Sequence, residues 1–146
     1  MKILFLSQRN SCRSQIAEAL LRSMDQSLEI YSAGLDPAEQ IEPIACEVLA
    51  EIGIKIELKK PEDFRKYAGM EFDFLITVGD GTPEELSLPK VKANRKMHLG
   101  FENPFRVSKN PAKIRECCRE IRDEILVELQ YFYNMILKKE IERKIQ

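Results

Sequence analysis

The segment that decides the fold begins at Lys2 and reads KILFLSQRNSCRSQIAEALL, through Leu21. It opens with an apolar run, Ile3–Leu6, and continues through a polar loop, Ser7–Ser11. From Cys12 onward, apolar residues recur at the spacing of one helix face. The segment therefore predicts a buried strand, a tight loop and a helix.

The loop between this strand and this helix has the composition of an anion-binding site. Backbone N–H groups of such a loop, together with the N-terminus of the following helix, form a cup for an anion. Arg13, at the helix start, adds a guanidinium group that matches a tetrahedral oxyanion. The alternative interpretation is an ordinary strand-to-helix turn with an exposed arginine, and local pattern does not separate the two.

Further strands and helices alternate along the chain. Strands are predicted near residues 2–6, 28–31, 72–78 and 96–99, and helices near residues 44–52, 62–67 and 110–146. This alternation predicts a single α/β domain over residues 1–146, with a three-layer architecture and a four-stranded parallel sheet flanked by helices on both faces. Ligands of such sheets bind beyond the carboxyl ends of the strands. Three loops are expected to meet there: Ser7–Arg13, Gly79–Pro83 and Gly100–Phe105.

Composition excludes several classes of function. The chain has 146 residues and a net charge of −1, which gives no basis for a nucleic-acid or membrane-surface partner. No apolar run approaches the roughly 18 residues of a spanning helix, and the first strand leaves no room for a signal peptide. The cysteines show no metal-binding spacing, and His98 is the only histidine, so no metal or cofactor is expected. A reducing cytoplasm is the expected location, with Cys46, Cys117 and Cys118 as small core residues.

The C-terminal helix is predicted to start at Asn110 and to run uninterrupted to Gln146. It is longer than the sheet requires, which leaves two interpretations of Lys138–Gln146. This segment is either a solvated tail or a helical extension through which two copies form a homodimer. Apolar residues such as Met135 and Ile145 keep the second interpretation open.

The motif SQRNSCRSQIAEA, at residues 7–19, resembles the active-site loop of the low-molecular-weight protein tyrosine phosphatases and the thioredoxin-coupled arsenate reductases. Gln15 is more similar to the reductase branch, since the phosphatases usually have proline there. The resemblance continues through YSAG at 31–34, EIGIKI at 51–56, FDFLITV at 72–78, HLGFENPF at 98–105 and IRDEI at 121–125. It covers roughly residues 2–130 and implies the fold predicted above.

The resemblance also assigns site residues, and several of them are substituted. It implies that the oxyanion is bound by Gln8, Arg9, Asn10, Ser11, Cys12, Arg13 and Ser14. Ser7 stands where these enzymes have the nucleophilic cysteine, and Asn103, before Pro104, stands where the phosphatases have the acidic proton donor. Gly79 stands at the first relay cysteine of the reductases. Glu18, one turn after Ser14, is expected on a solvated face.

Three hypotheses follow from these substitutions. The first is a catalytically impaired module that binds phosphate, arsenate or a phosphorylated partner. The second is an enzyme of the same family that uses Cys12, or Ser7 with Glu102, in place of the usual groups. The third is that serine at position 7 is an engineered replacement of cysteine, which leaves Asn103 and Arg9 unexplained.

Overall fold

A computed structural model describes residues 1–56, 59–80 and 91–145. The strands are β1 (Lys2–Ser7), β2 (Glu29–Gly34), β3 (Glu71–Gly79) and β4 (Lys92–Gly100). The helices are α1 (Arg13–Met24), α2 (Pro43–Ala50), α3 (Pro104–Val107), α4 (Pro111–Phe132) and α5 (Lys138–Ile145). A 3₁₀ helix covers Phe64–Tyr67, and a π-helical turn covers Tyr133–Leu137 between α4 and α5.

The strands form one parallel sheet in the order β2–β1–β3–β4. Helices flank this sheet, so the predicted fold class is confirmed. α1, α2 and α4 pack on one face over a core that includes Ile3 and Phe5 of β1. On the other face, Leu4 and Leu6 meet Tyr67 of the 3₁₀ helix. Successive residues of β1 are thus buried on opposite faces of the sheet, as the period of two in a strand requires.

Several predicted boundaries differ from the structure. β2 extends to Gly34, and β4 spans nine residues rather than four. The expected helix at 62–67 is a single 3₁₀ turn, for which Asp63 accepts the N–H of Arg65. Of the loop predicted at Gly79–Pro83, residues 81–83 lie outside the described residues.

The C-terminal helix is not the uninterrupted α-helix that was predicted. The π turn divides it, and the Tyr133 hydroxyl donates to Asp25 Oδ2 at 2.8 Å. Beyond the turn, Leu137 is fully buried and Lys144 pairs with Asp73 at 2.9 Å. The described part of the predicted tail is therefore helical and anchored to the sheet.

Candidate oxyanion site

A cavity of about 330 Å³ opens at the carboxyl end of β1. The loop Ser7–Arg13 and Ser14 form its floor, and Asp80 lies on its wall directly after β3. Asn103, Phe105 and Arg106, which follow β4, also line the cavity, together with Ala38 and Glu42 from the segment after β2. The segments that follow β1, β3 and β4 thus meet at one edge of the sheet, as the parallel topology requires.

The backbone carbonyl groups of the loop are engaged by donors of the protein itself. The carbonyl oxygens of Ser7, Gln8, Arg9 and Ser11 accept the N–H groups of Leu35, Asp36, Ala38 and Glu42 at 2.8–3.0 Å. The carbonyls of Asn10 and Cys12 accept from Gln15 Nε2 and from the N–H of Ile16. Within the described residues, no hydrogen bond is donated by the N–H groups of Gln8, Arg9, Ser11, Cys12, Arg13 or Ser14. The loop carbonyls are thus engaged by protein donors, whereas six backbone N–H groups of this cavity-lining loop have no partner among the described residues.

Asn10 holds the loop in this shape. Its backbone has a φ of 52°, in the left-handed region that asparagine tolerates better than most residues. Its side chain is buried and bonded at both ends: Nδ2 donates to Ser14 Oγ, and Oδ1 accepts from Gln15 Nε2 and from the N–H of Glu62. Because its partners lie on either side of the loop, this one amide fixes both the turn and the position of Ser14.

Ser7 lies at the base of the cavity and is 9% exposed. Its Oγ accepts the N–H of Asn10 at 3.0 Å and lies 2.8 Å from Ser14 Oγ. Ser14 Oγ already accepts Asn10 Nδ2, so its own proton is available to Ser7. Two hydrogen-bond donors next to the side-chain oxygen of residue 7 would stabilise a thiolate if this residue were a cysteine. Serine instead carries a hydroxyl, which is not appreciably ionised near neutral pH.

The structure gives Ser7 no general base from His98. The Nδ1 atom of His98 lies 2.7 Å from Thr77 Oγ1, and its Nε2 lies 3.1 Å from the carbonyl oxygen of Asp80. Both ring nitrogens are therefore engaged in positioning the end of β3, and neither is bonded to Ser7.

Arg13 is oriented by contacts on one side of its guanidinium group. Its Nη1 donates to Asp80 Oδ1 at 2.9 Å and to the carbonyl of Phe101 at 2.7 Å. Among the described residues, its Nε and Nη2 donate to no protein group. Since a guanidinium presents five donors in a fixed fork, those remaining can bind a ligand bidentately.

Two site residues, Asp80 and Arg106, were not found by sequence reasoning. Asp80 accepts from Arg13 and, through Oδ2, from Arg106 Nη1 at 3.0 Å, so one carboxylate joins two arginines at the cavity wall. The available sequence signal was the position of Asp80 directly after a strong strand. Arg9, by contrast, neither fills nor supplements the cavity with its side chain, because Nη1 turns outward to Asp36 Oδ2 at 2.7 Å.

Asn103 has a structural role that its alignment with an acid does not suggest. Its Oδ1 accepts the N–H of Phe105 at 3.0 Å and caps α3. An amide cannot donate a proton as a carboxylic acid does. Glu102, the considered substitute, is exposed and is not among the described residues that line the cavity.

Cys12 is a poor candidate for a replacement nucleophile. A hydrogen bond with Cys118 and burial raise the pKa of the Cys12 thiol well above its usual value. Cys117 and Cys118 are buried in the main core, as expected of small core residues. Gly79, at the end of β3, has no thiol to offer a disulfide relay.

The described residues show no cluster of three or more histidine, cysteine, aspartate or glutamate side chains that could hold a metal ion. The helices in the described ranges include none with the length and apolar character needed to cross a bilayer.

This fold and this loop define a class of protein. The model of the low molecular weight phosphotyrosine protein phosphatase family matches residues 2–144, and the chain belongs to that family. Within the family, comparisons favour the arsenate reductase branch. The arsenate reductase of Bacillus subtilis is 30% identical over 133 residues, which cover 89% of this chain and 93% of that protein.

Solved structures agree with this assignment. An arsenate reductase from Archaeoglobus fulgidus aligns with a TM-score of 0.67 and 29% identity, covering 88% of this chain and 98% of that one. A second arsenate reductase, solved in a phosphate-binding state, aligns with a TM-score of 0.73 and 24% identity, over 92% of this chain and 98% of that one. The second likeness concerns the fold alone.

Proposed function

We propose that this protein binds a tetrahedral oxyanion in the loop Ser7–Ser14 and acts as a catalytically impaired binding or regulatory module. The ligand is phosphate, arsenate or the phosphoryl group of a phosphorylated partner. The observation that carries the proposal is that the loop carbonyls are bonded to protein donors, while backbone N–H groups of the same cavity-lining loop have no partner among the described residues. The match of residues 2–144 to the phosphotyrosine protein phosphatase family supports the same ligand class.

Arg13 supplies the charge for binding. Its contacts with Asp80 and Phe101 hold the guanidinium beside the loop and leave Nε and Nη2 without partners among the described residues. Charge-assisted hydrogen bonds contribute about 1.5–3 kcal/mol each. The loss of Arg13 should therefore weaken binding by about 10- to 100-fold.

Isothermal titration calorimetry with phosphate and arsenate tests this proposal on Arg13→Ala. Arg9→Ala is the matched control, because it removes the same charge from the same loop while its side chain points outward to Asp36. We expect Arg13→Ala to lose most of the affinity and Arg9→Ala to lose much less. Absence of binding by the parent protein at millimolar anion, or equal losses in the two variants, would contradict the proposal.

Three independent substitutions support catalytic impairment. Ser7 has a hydroxyl without a base, Asn103 has an amide that caps a helix, and Gly79 has no side chain. We therefore expect neither hydrolysis of p-nitrophenyl phosphate nor thioredoxin-linked reduction of arsenate. Steady turnover in either assay, above the rate without protein, would refute the impairment and favour an enzyme with unusual groups.

A further inference from the structure

One exposed face continues from α4 through the π turn into α5. Its centre is apolar: Val127 is 64% exposed, Tyr131 63% and Met135 46%. Large apolar side chains four residues apart lie next to one another on a helix, so these three form a continuous patch. Beside Tyr131 lies a small cavity of about 150 Å³, with Met97 and Ile136 in its lining.

Charged residues of opposite sign flank this apolar centre. At 100° per residue, Glu120 and Glu124 lie within about 40° of Tyr131 on the N-terminal side. The π turn at Tyr133–Leu137 inserts one extra residue, so each residue beyond Leu137 takes the face that its predecessor would have had in a straight α-helix. This rotation brings Lys139 and Arg143, rather than Lys138, onto the same face.

We call this face the C-terminal ridge. Its members are Glu120, Glu124, Val127, Tyr131, Met135, Lys139 and Arg143, and all of them are exposed. Its acidic residues precede the apolar centre and its basic residues follow it.

We propose that the C-terminal ridge is a homodimer interface in which two copies pack antiparallel about a two-fold axis at Tyr131. A two-fold interface must be complementary to itself, with residue i opposite j and j opposite i. Glu124 lies seven residues before Tyr131, or about 10 Å along the axis. Lys139 lies a similar distance after it once the extra π-turn residue is discounted, so Glu124 of each copy meets Lys139 of the other.

The same rotation about Tyr131 pairs Val127 with Met135 and Glu120 with Arg143. A partner of uniform charge would match only one half of the ridge, whereas a second copy matches both. The apolar centre is small, so the interface belongs to the weak end of specific contacts and should depend strongly on salt.

Sedimentation velocity on the full chain tests the pairing by charge exchange. Glu124→Lys and Lys139→Glu, taken singly, place like charges opposite each other in a homodimer and should each give monomers. Mixed in equal amounts, the two variants restore both contacts, because the lysine introduced at position 124 of one faces the glutamate introduced at position 139 of the other. The mixture should therefore form a heterodimer close in affinity to the parent dimer.

Lys138→Glu is the control, since it makes the same charge change one residue away and off the ridge. It should dimerise like the parent. Tyr131→Glu removes the apolar centre and places two carboxylates at the axis, so it should be monomeric with an unchanged far-ultraviolet circular dichroism spectrum. A monomeric parent at millimolar concentration, or a mixture that stays monomeric, would overturn the proposal.

Discussion

At the scale of single residues, Asn103 keeps a structural role while it lacks a chemical one. Its Oδ1 caps α3 through the N–H of Phe105, and aspartate caps helices as well as asparagine does. Asn103→Asp should therefore preserve α3 and return a proton donor beside the cavity. Ser7→Cys would in turn place a thiol where the Asn10 N–H already donates and where the Ser14 hydroxyl lies within hydrogen-bond distance.

We predict that Ser7→Cys with Asn103→Asp hydrolyses p-nitrophenyl phosphate well above the parent protein. The donors around position 7 and the charge of Arg13 lower a thiol pKa, and a general acid contributes roughly 10²–10⁴-fold. Nucleophile and acid act as a unit, so the rate gains of the two single variants, multiplied together, should be smaller than the gain of the double variant. Initial rates of nitrophenolate release measure this.

Ser7→Ala with Asn103→Asp is the control for this experiment, because it returns the acid without a nucleophile. A double variant that folds and binds phosphate but shows neither turnover nor a phosphocysteine intermediate would contradict the prediction. The loop would then bind anions in a geometry unsuited to in-line attack.

At the scale of elements, β2 sets the shape of the loop Ser7–Arg13. Gly34, at the end of β2, lies directly against the loop backbone. A Cβ at position 34 would lie 3.0 Å from the carbonyl carbon of Arg9, 3.0 Å from the carbonyl oxygen of Gln8 and 3.1 Å from Asn10 Cβ. The loop can rest on the sheet at this distance only because residue 34 has no side chain.

We predict that Gly34→Ala destabilises the fold by about 1–3 kcal/mol, the usual cost of overpacking, and weakens phosphate binding. The methyl group displaces backbone rather than a flexible side chain, so the strain falls on the loop. Urea unfolding and phosphate calorimetry measure the two effects. Unchanged values in both would show that the loop tolerates the displacement.

Packing between elements also determines which charged side chains are buried. Glu18 was expected on a solvated face, but it is 2% exposed and pairs with Lys59 and with Arg22. The expectation was wrong because residues 59 and 18 meet only when the chain after α2 crosses α1. Helical periodicity gives no information on such a crossing.

At the scale of the whole molecule, the described residues that cover one face of the sheet differ in kind from those that cover the other. The face opposite α1 and α4 is closed by Tyr67, whose ring packs at 5.2 Å from Tyr31 and 6.4 Å from Phe72, between ring centroids. Burial raises the pKa of the Tyr67 phenol to about 12, and the nearby Glu62 adds to the effect.

We predict that stability falls at alkaline pH because of this phenol. Its pKa is higher in the folded state than its ordinary value near 10, so folding favours the protonated form. The contribution is complete below about pH 10 and is lost as pH rises toward about 12. Tyr67→Phe should therefore show a shallower decline in the free energy of unfolding over that range.

Urea unfolding at a series of pH values measures this decline. Tyr131→Phe, in which the substituted tyrosine is 63% exposed, serves as the control and should decline like the parent. A Tyr67→Phe variant with the parent slope would contradict the prediction.

The sequence by itself determined the features that depend on neighbours along the chain. The apolar run of β1, the polar loop and the helical spacing of α1 appear within 20 consecutive residues and predict a strand–loop–helix unit. The alternation of strands and helices along the rest of the chain predicts the parallel sheet. The resemblance to the phosphatase and reductase loops marks Ser7, Asn103 and Gly79 as positions where the usual reacting groups are replaced. The strand–loop–helix unit needs only local periodicity, whereas these three positions also need the comparison with the family.

The tertiary structure alone decided which groups meet across long stretches of chain. Asp80 binds Arg13 from 67 residues away, and the carbonyl of Phe101 binds it from 88. The face presented by Lys139 depends on one extra residue in the π turn near Asp25. Such contacts arise from packing between elements, and helix and strand periods carry no information on which side chains packing brings together.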